Sequence, residues 1–310
     1  MIMNQTHAAK RSPSPSPIGR RTLCSLVAAA VLVASTLAQG HTATRSFLWK
    51  ASGTRGALYL VGSIHALPPD AYPLNPAIEA AFKDADLLVE EVDFGEMMAP
   101  AAQLQMLTRG MLPSEQSLDK VLSPATLALV NKSLADLGPA GEMLKRFKPW
   151  MLALTVQFME LQKAGFDPNL GLDKHFYDLA QSTRKEVQGL ETVEYQLLRF
   201  DEMLPVHQDR FLADTLKEIA TEQANIGKLT DAWKAGDAAT IERIVLADVK
   251  SDPVIYRRLL VERNQNWMPK LEALFARSGQ AFVVVGAAHL VGPDGLLAML
   301  KAKGYSVEQM

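Results

Sequence analysis

Residues 56–65 read GALYLVGSIH, and residues 281–290 read AFVVVGAAHL. Each is an apolar run that stops at a glycine, with a histidine three residues further along: His65 behind Gly62 and His289 behind Gly286. Short apolar runs bounded by glycine read as buried strands. The glycine lets the chain turn sharply where the strand ends. The following loop then projects a histidine from the carboxyl end of the strand, the edge at which open α/β sheets hold ligands. If the two strands are neighbours in one sheet, two of the chain's six histidines meet.

Working outward, SFLWK (46–50) and GALYLVG (56–62) are split by a glycine-containing loop and read as a hairpin. Asn75 as cap and Pro76 at the first helical position start a helix over 77–85. DLLVEEVDFG (86–95) reads as a buried strand whose far end carries Glu90 and Glu91; successive side chains alternate, so only one of the two faces a given site. From about 97 to 183 the pattern is helical, with Ser123-Pro124 as a start and Gly138 and Gly165 as stops. A short strand over 186–190 presents Glu191. A second helical block runs to about 277, and the chain closes as strand, helix and strand. The expectation is a single α/β domain over 41–310, with a mixed β-sheet core from N- and C-terminal strands and a large helical middle region.

The 310 residues are 48% hydrophobic, enough for a sizeable core, and the formal net charge is -2. No basic stripe follows residue 50, so nothing points to nucleic acid. The first forty residues differ from the rest. Lys10, Arg11, Arg20 and Arg21 precede the apolar TLCSLVAAAVLVASTLA, and small residues surround Thr36, Ala38 and Gly40. Residues 1–40 therefore read as a signal peptide, which places the body in the periplasm or outside the cell. An uncleaved N-terminal anchor is the alternative, and it would hold the body near the membrane. The only cysteine, Cys24, lies in this segment, so the mature chain has no thiol nucleophile and no disulfide.

His65, His289 and an acid from the Glu90-Glu91 pair form a donor set suited to a divalent transition metal. With open positions, such an ion acidifies water and polarises a carbonyl, so hydrolysis is the natural chemistry. The same trio without a metal supports acid/base work. Each residue also has a plainer reading: a satisfied loop histidine, or the solvated end of a strand. Asp173 and His175 read most simply as a helix start and a polar face, His207 as a surface helix residue. Arg263 is either an ordinary exposed arginine or a group that holds a carboxylate or substrate anion. Ser63 lacks the second glycine of a nucleophile elbow, and there is no His-Glu-x-x-His, phosphate loop or dinucleotide fingerprint.

Taken in order, FLWKASGTRGALYLVGSIHALPPDAYPL (47–74), ADLLVEEVD (85–93), GLDKHF (171–176), GLETVEYQL (189–197), ERNQNW (262–267) and VVVGAAHLVGPDGLLAMLKAKGYSVEQ (283–309) resemble the TraB/GumN family, particularly its exported bacterial GumN-like branch. That family is related to the Tiki metalloproteases. The resemblance implies a metal-dependent peptidase with Mn, Co or Zn held by His65, His289 and Glu91, and it selects Glu91 over Glu90. Glu191 and Arg263 lie in other recurrent stretches of the family and are implied as further site residues, Glu191 to orient a ligand or act as base and Arg263 to hold substrate charge. The implied partner is a peptide or protein substrate. A non-catalytic regulatory protein of the cell envelope, holding a peptide or haem in the same cleft, is the alternative; the oligomeric state is not legible.

Overall fold

The computed structural model describes residues 45–221 and 223–310. The signal peptide read at 1–40 lies outside them. The described residues belong to one compact unit. Six strands form one mixed sheet: β1 (Leu48–Ser52), β2 (Gly56–Ser63), β3 (Leu87–Glu90), β4 (Glu186–Gly189), β5 (Gly279–Gly286) and β6 (Ser306–Gln309), ordered β4-β3-β5-β2-β1-β6. β4, β3, β5 and β2 are parallel, whereas β1 runs antiparallel to both β2 and β6. The α/β reading with a large helical middle holds.

The register explains how the histidine phrases come together. β2 and β5 lie side by side with Gly62 opposite Val285 and Ser63 opposite Gly286. Both strands sit near the middle of the sheet, and Leu58–Ser63 and Ala281–Gly286 are buried throughout, as continuous apolar runs require. β3 flanks β5 on the other side, so its carboxyl end reaches the same edge. Gly62 admits the close approach of the first strand: a β-carbon there would lie 2.2 Å from the Phe47 ring. Under the sheet, Phe82, Phe176 and Phe282 pack ring against ring, with centroids 4.6–5.5 Å apart.

The helix Pro76–Asp84 starts as its sequence dictates, with Asn75 Oδ1 accepting the Ala77 N–H at 2.9 Å and proline at its first position. Gly138 and Gly165 have positive φ and end their helical stretches. The helix Glu262–Ala276 is entered through a π-helical turn, Arg257–Val261. Such turns shift the helical register locally. Beyond this turn Arg263, Asn264 and Trp267 share the buried face. Among the described residues no helix is long and apolar enough to cross a membrane.

Candidate functional site

The carboxyl edge of the parallel strands brings His65, Glu91, His289, Glu191 and Arg263 together. Pairing continues just past the ends of β3 and β4: Glu191 N donates to Glu91 O at 2.8 Å, which sets the two residues side by side. Arg263 lies between them. Its Nη2 donates to Glu91 Oε2 (2.5 Å) and Glu191 Oε1 (2.7 Å), and its Nε to both Glu191 oxygens (3.0 and 3.3 Å). Its Nη1 donates to Leu259 O (3.3 Å) and His289 Nε2 (3.0 Å). All five guanidinium N–H groups thus have acceptors.

Saturation decides what these two groups can do. In this arrangement every Arg263 N–H is engaged within the cluster, and the Glu191 side chain is 0% exposed. Both Glu191 oxygens accept from donors, Arg263 on one side and Trp267 Nε1 at 2.7 Å on the other. Burial pushes Glu191 up and Arg263 opposes that push. A protonated carboxyl would turn a donor toward donors, so the carboxylate is the form this environment fits. Glu191 therefore braces Arg263 from behind.

Glu91 is the inward member of its pair. Oε1 accepts the Gly286 N–H at 2.7 Å, while Oε2 accepts from Arg263 and from Gln196 Nε2 at 3.3 Å. Burial alone would raise its pKa, but the charge of Arg263, helped by His289, His65 and the Gly286 N–H, holds it well below the carboxylate range.

The tautomer of His289 follows from its neighbours. Asn264 Nδ2 donates to the carbonyls of His289 (3.2 Å) and Asp294 (2.8 Å), so Asn264 Oδ1 is left to accept from His289 Nδ1 at 2.7 Å. The proton sits on Nδ1 and the lone pair of Nε2 faces Arg263 and Glu91, whose Oε1 is 3.9 Å away. Burial, aided by Arg263 and His65 against Glu91, lowers His289 to about 3, which keeps the ring neutral.

His65 is held differently. Its Nδ1 is 2.9 Å from Asp173 Oδ2, yet 69% of its side chain meets solvent. The Asp173 charge, against the effect of burial, raises it to about 9. Water screens so open a pair. Gly286 shows where the three groups converge. A β-carbon there would lie 3.2 Å from Glu91 Oε1, 3.5 Å from His65 Nε2 and 3.6 Å from His289 Cδ2. The backbone at Gly286 (φ -50°, ψ 138°) suits any residue, so glycine leaves space here and does not relieve strain.

The residue types around that space are ones that bind divalent ions in other proteins. Each imidazole has its Nδ1 tied to an oxygen and turns Nε2 inward, the arrangement second partners impose on metal-binding histidines. Two carboxylates share one guanidinium, and Asp173 adds further negative charge. Among the described residues, as they stand, no group of three or more His, Cys, Asp or Glu side chains is arranged to hold a metal ion. His289 Nε2 accepts from Arg263 at 3.0 Å, so an ion bound there would have to replace that hydrogen bond.

Glu90 turns away from this cluster, as alternation requires. It is buried; Oε2 accepts the Phe94 N–H at 3.0 Å, and Oε1 has no partner. Burial pushes its carboxyl up to about 8, with Asp173 and Asp93 adding and the Phe94 N–H opposing. The folded group keeps a proton that the unfolded chain releases near the ordinary 4.5. Its contribution to stability is thus complete below that value and is lost as pH rises toward 8. Glu90→Gln is expected to stabilise the protein by about 1–3 kcal/mol at pH 8 and hardly at all at pH 4. Urea unfolding at the two pH values checks this; an equal gain at both would contradict it.

Sequence reasoning set Asp173 aside as a helix start and passed over Asn264 and Trp267, although all three lie in the stretches GLDKHF and ERNQNW. His175 packs against Tyr72 and Phe176. His207 is not a free surface residue; its Nδ1 pairs with the buried Asp252 at 2.8 Å.

A mixed α/β sheet with two glycine-histidine loops and a glutamate at one carboxyl edge defines the class. The sequence profile of the TraB/PrgY/gumN family matches residues 47–309, and the chain belongs to that family. It is 28% identical over 243 residues to the uncharacterized protein YbaP of Escherichia coli (strain K12), covering 78% of this chain and 87% of that one. It is 22% identical over 272 residues to an uncharacterized protein of Treponema pallidum (strain Nichols), covering 82% of this chain and 80% of that one. No solved structure matches.

Proposed function

We propose that this protein is an exported, metal-dependent hydrolase that cleaves a peptide or amide bond. The observation that carries the reading is the space at Gly286, ringed by Glu91, His65 and His289 at 3.2–3.6 Å. His65 and His289 would hold a divalent Mn, Co or Zn ion through Nε2, and Glu91 through Oε1. Such an ion supplies positive charge to polarise a carbonyl and acidify water at neutral pH. The remaining work belongs to the chain. Asn264 keeps the His289 proton on Nδ1, so Nε2 stays a donor of electrons. Arg263 keeps Glu91 ionised and pointed inward, and Glu191 with Trp267 keeps Arg263 in place. Because His65 is the open member of the set, substrate enters from its side. Export to the periplasm or beyond rests on the sequence of residues 1–40, and a peptide or protein substrate rests on the family resemblance.

Elemental analysis of purified mature protein beside His65→Ala and His289→Ala tests the reading, followed by a peptide-library screen with Mn²⁺, Co²⁺ or Zn²⁺ added. Near-stoichiometric metal in the wild type alone, with metal-dependent cleavage, is expected. Equal trace metal in all three proteins would overturn it. Bound metal with no cleavage would favour a binding or regulatory role for the same cleft.

A further inference from the structure

We infer that the segment Asp167–Asp173 is a clamp that fixes the His65 loop, with Asp173 as the positioning residue that turns Nε2 of His65 into the Gly286 space. The inference rests on the metal-site reading and names residues of that site which neither the glycine-histidine phrases nor the acidic strand end disclose.

Independent contacts carry it. The loop behind β2 is pinned to this segment by a reciprocal pair of backbone hydrogen bonds, Leu67 N to Asp167 O (3.2 Å) and Asp167 N to Leu67 O (3.0 Å). A further bond runs from Leu172 N to Ile64 O at 3.4 Å. Between them the two chains touch: a β-carbon on Gly171 would lie 2.2 Å from His65 O, a distance backbone cannot yield to cheaply. The helix Leu172–Thr183 then begins, and its first turn delivers Asp173. Asp173 Oδ2 accepts from Ser63 Oγ (2.5 Å) and from His65 Nδ1 (2.9 Å), so one carboxylate oxygen ties the last residue of β2 to the histidine two residues on.

The consequence is geometric. Ser63 is buried at the end of β2, whereas the His65 side chain is largely open to solvent. Asp173, braced by Ser63, supplies the missing constraint. With Nδ1–H committed to Asp173, Nε2 is the atom that would ligate an ion once it gives up its own proton, 3.5 Å from the place a Gly286 β-carbon would take. Outer partners of this kind typically matter by 10–100-fold in metal affinity. The site is thus asymmetric: a carboxylate orients the exposed histidine, and the neutral amide of Asn264 orients the buried one.

The test is Co²⁺ binding to the mature protein, followed by equilibrium dialysis and by the visible absorption spectrum of bound Co²⁺, with Asp173→Asn, Ser63→Ala and His65→Ala. Asp173→Asn is expected to weaken Co²⁺ binding about 10–100-fold and to shift the Co²⁺ bands. Ser63→Ala is expected to weaken it several-fold, and it serves as the second probe if Asp173→Asn does not fold. A merely structural role would lower the unfolding midpoint and leave the affinity and spectrum of the folded fraction unchanged, which would overturn the inference. Loss of Co²⁺ in His65→Ala with wild-type binding in Asp173→Asn and Ser63→Ala sinks the clamp alone. Wild-type binding in His65→Ala as well sinks the metal reading beneath it.

Discussion

Arg263→Met is expected to destabilise the protein by about 3–5 kcal/mol, the usual cost of removing one partner from a buried ion pair. Arg263 is 6% exposed and serves two carboxylates that have little or no access to water. Removing it leaves Glu91 and Glu191 adjacent, joined by the Glu191 N to Glu91 O bond, with no cation between them. Like charges so placed cannot both stay ionised. The loss should therefore shrink as pH falls and the carboxylates take up protons. Adding Glu191→Leu to Arg263→Met should recover part of the loss, because one of the orphaned charges is then gone. Urea unfolding of the single and double variants at neutral pH checks both statements. A loss under about 1 kcal/mol for Arg263→Met would mean the guanidinium does not hold the cluster together.

The second large effect is functional. Gly286→Ala is expected to lower metal affinity, and with it any hydrolysis, by at least about 100-fold, equivalent to about 2.7 kcal/mol at the site. The backbone there accepts alanine, and the nearest contact of the new methyl is the Glu91 carboxylate at 3.2 Å. Stability should change by less than about 1 kcal/mol, within the ordinary range for a small misfit. The methyl would stand in the space shared by His65, Glu91 and His289. A Gly286→Ala protein with wild-type metal affinity would show that the ion does not sit there.

Much of the sheet was legible because its signals are local. Runs such as LYLV and FVVV, each closed by glycine, have the composition of strands buried on both faces, and the alternation rule separated Glu90 from Glu91 in direction. The helix at Pro76 announced itself by its cap. Pairing was less accessible. That β2 and β5 are neighbours was a supposition until the register placed Ser63 opposite Gly286. The partners of Arg263 and Glu191 were not legible for a physical reason: a lone charge in a helical or strand-end stretch carries no mark of which other charges the fold will bring against it. Asp173 and Asn264 were set aside or missed because helix starts and polar helix faces use the same residue types for capping and solvation. Only the contacts of Asp173 with Ser63 and His65, and of Asn264 with His289, reveal what those side chains do.

The most direct test of the central claim is an anomalous-difference map from crystals of the mature protein soaked in Co²⁺ or Mn²⁺. A single peak in the space beside Gly286, about 2.0–2.3 Å from Nε2 of His65, Nε2 of His289 and an oxygen of Glu91, is the predicted result. Full soaking with no peak there, or with the ion bound elsewhere while Arg263 still covers His289, would contradict it.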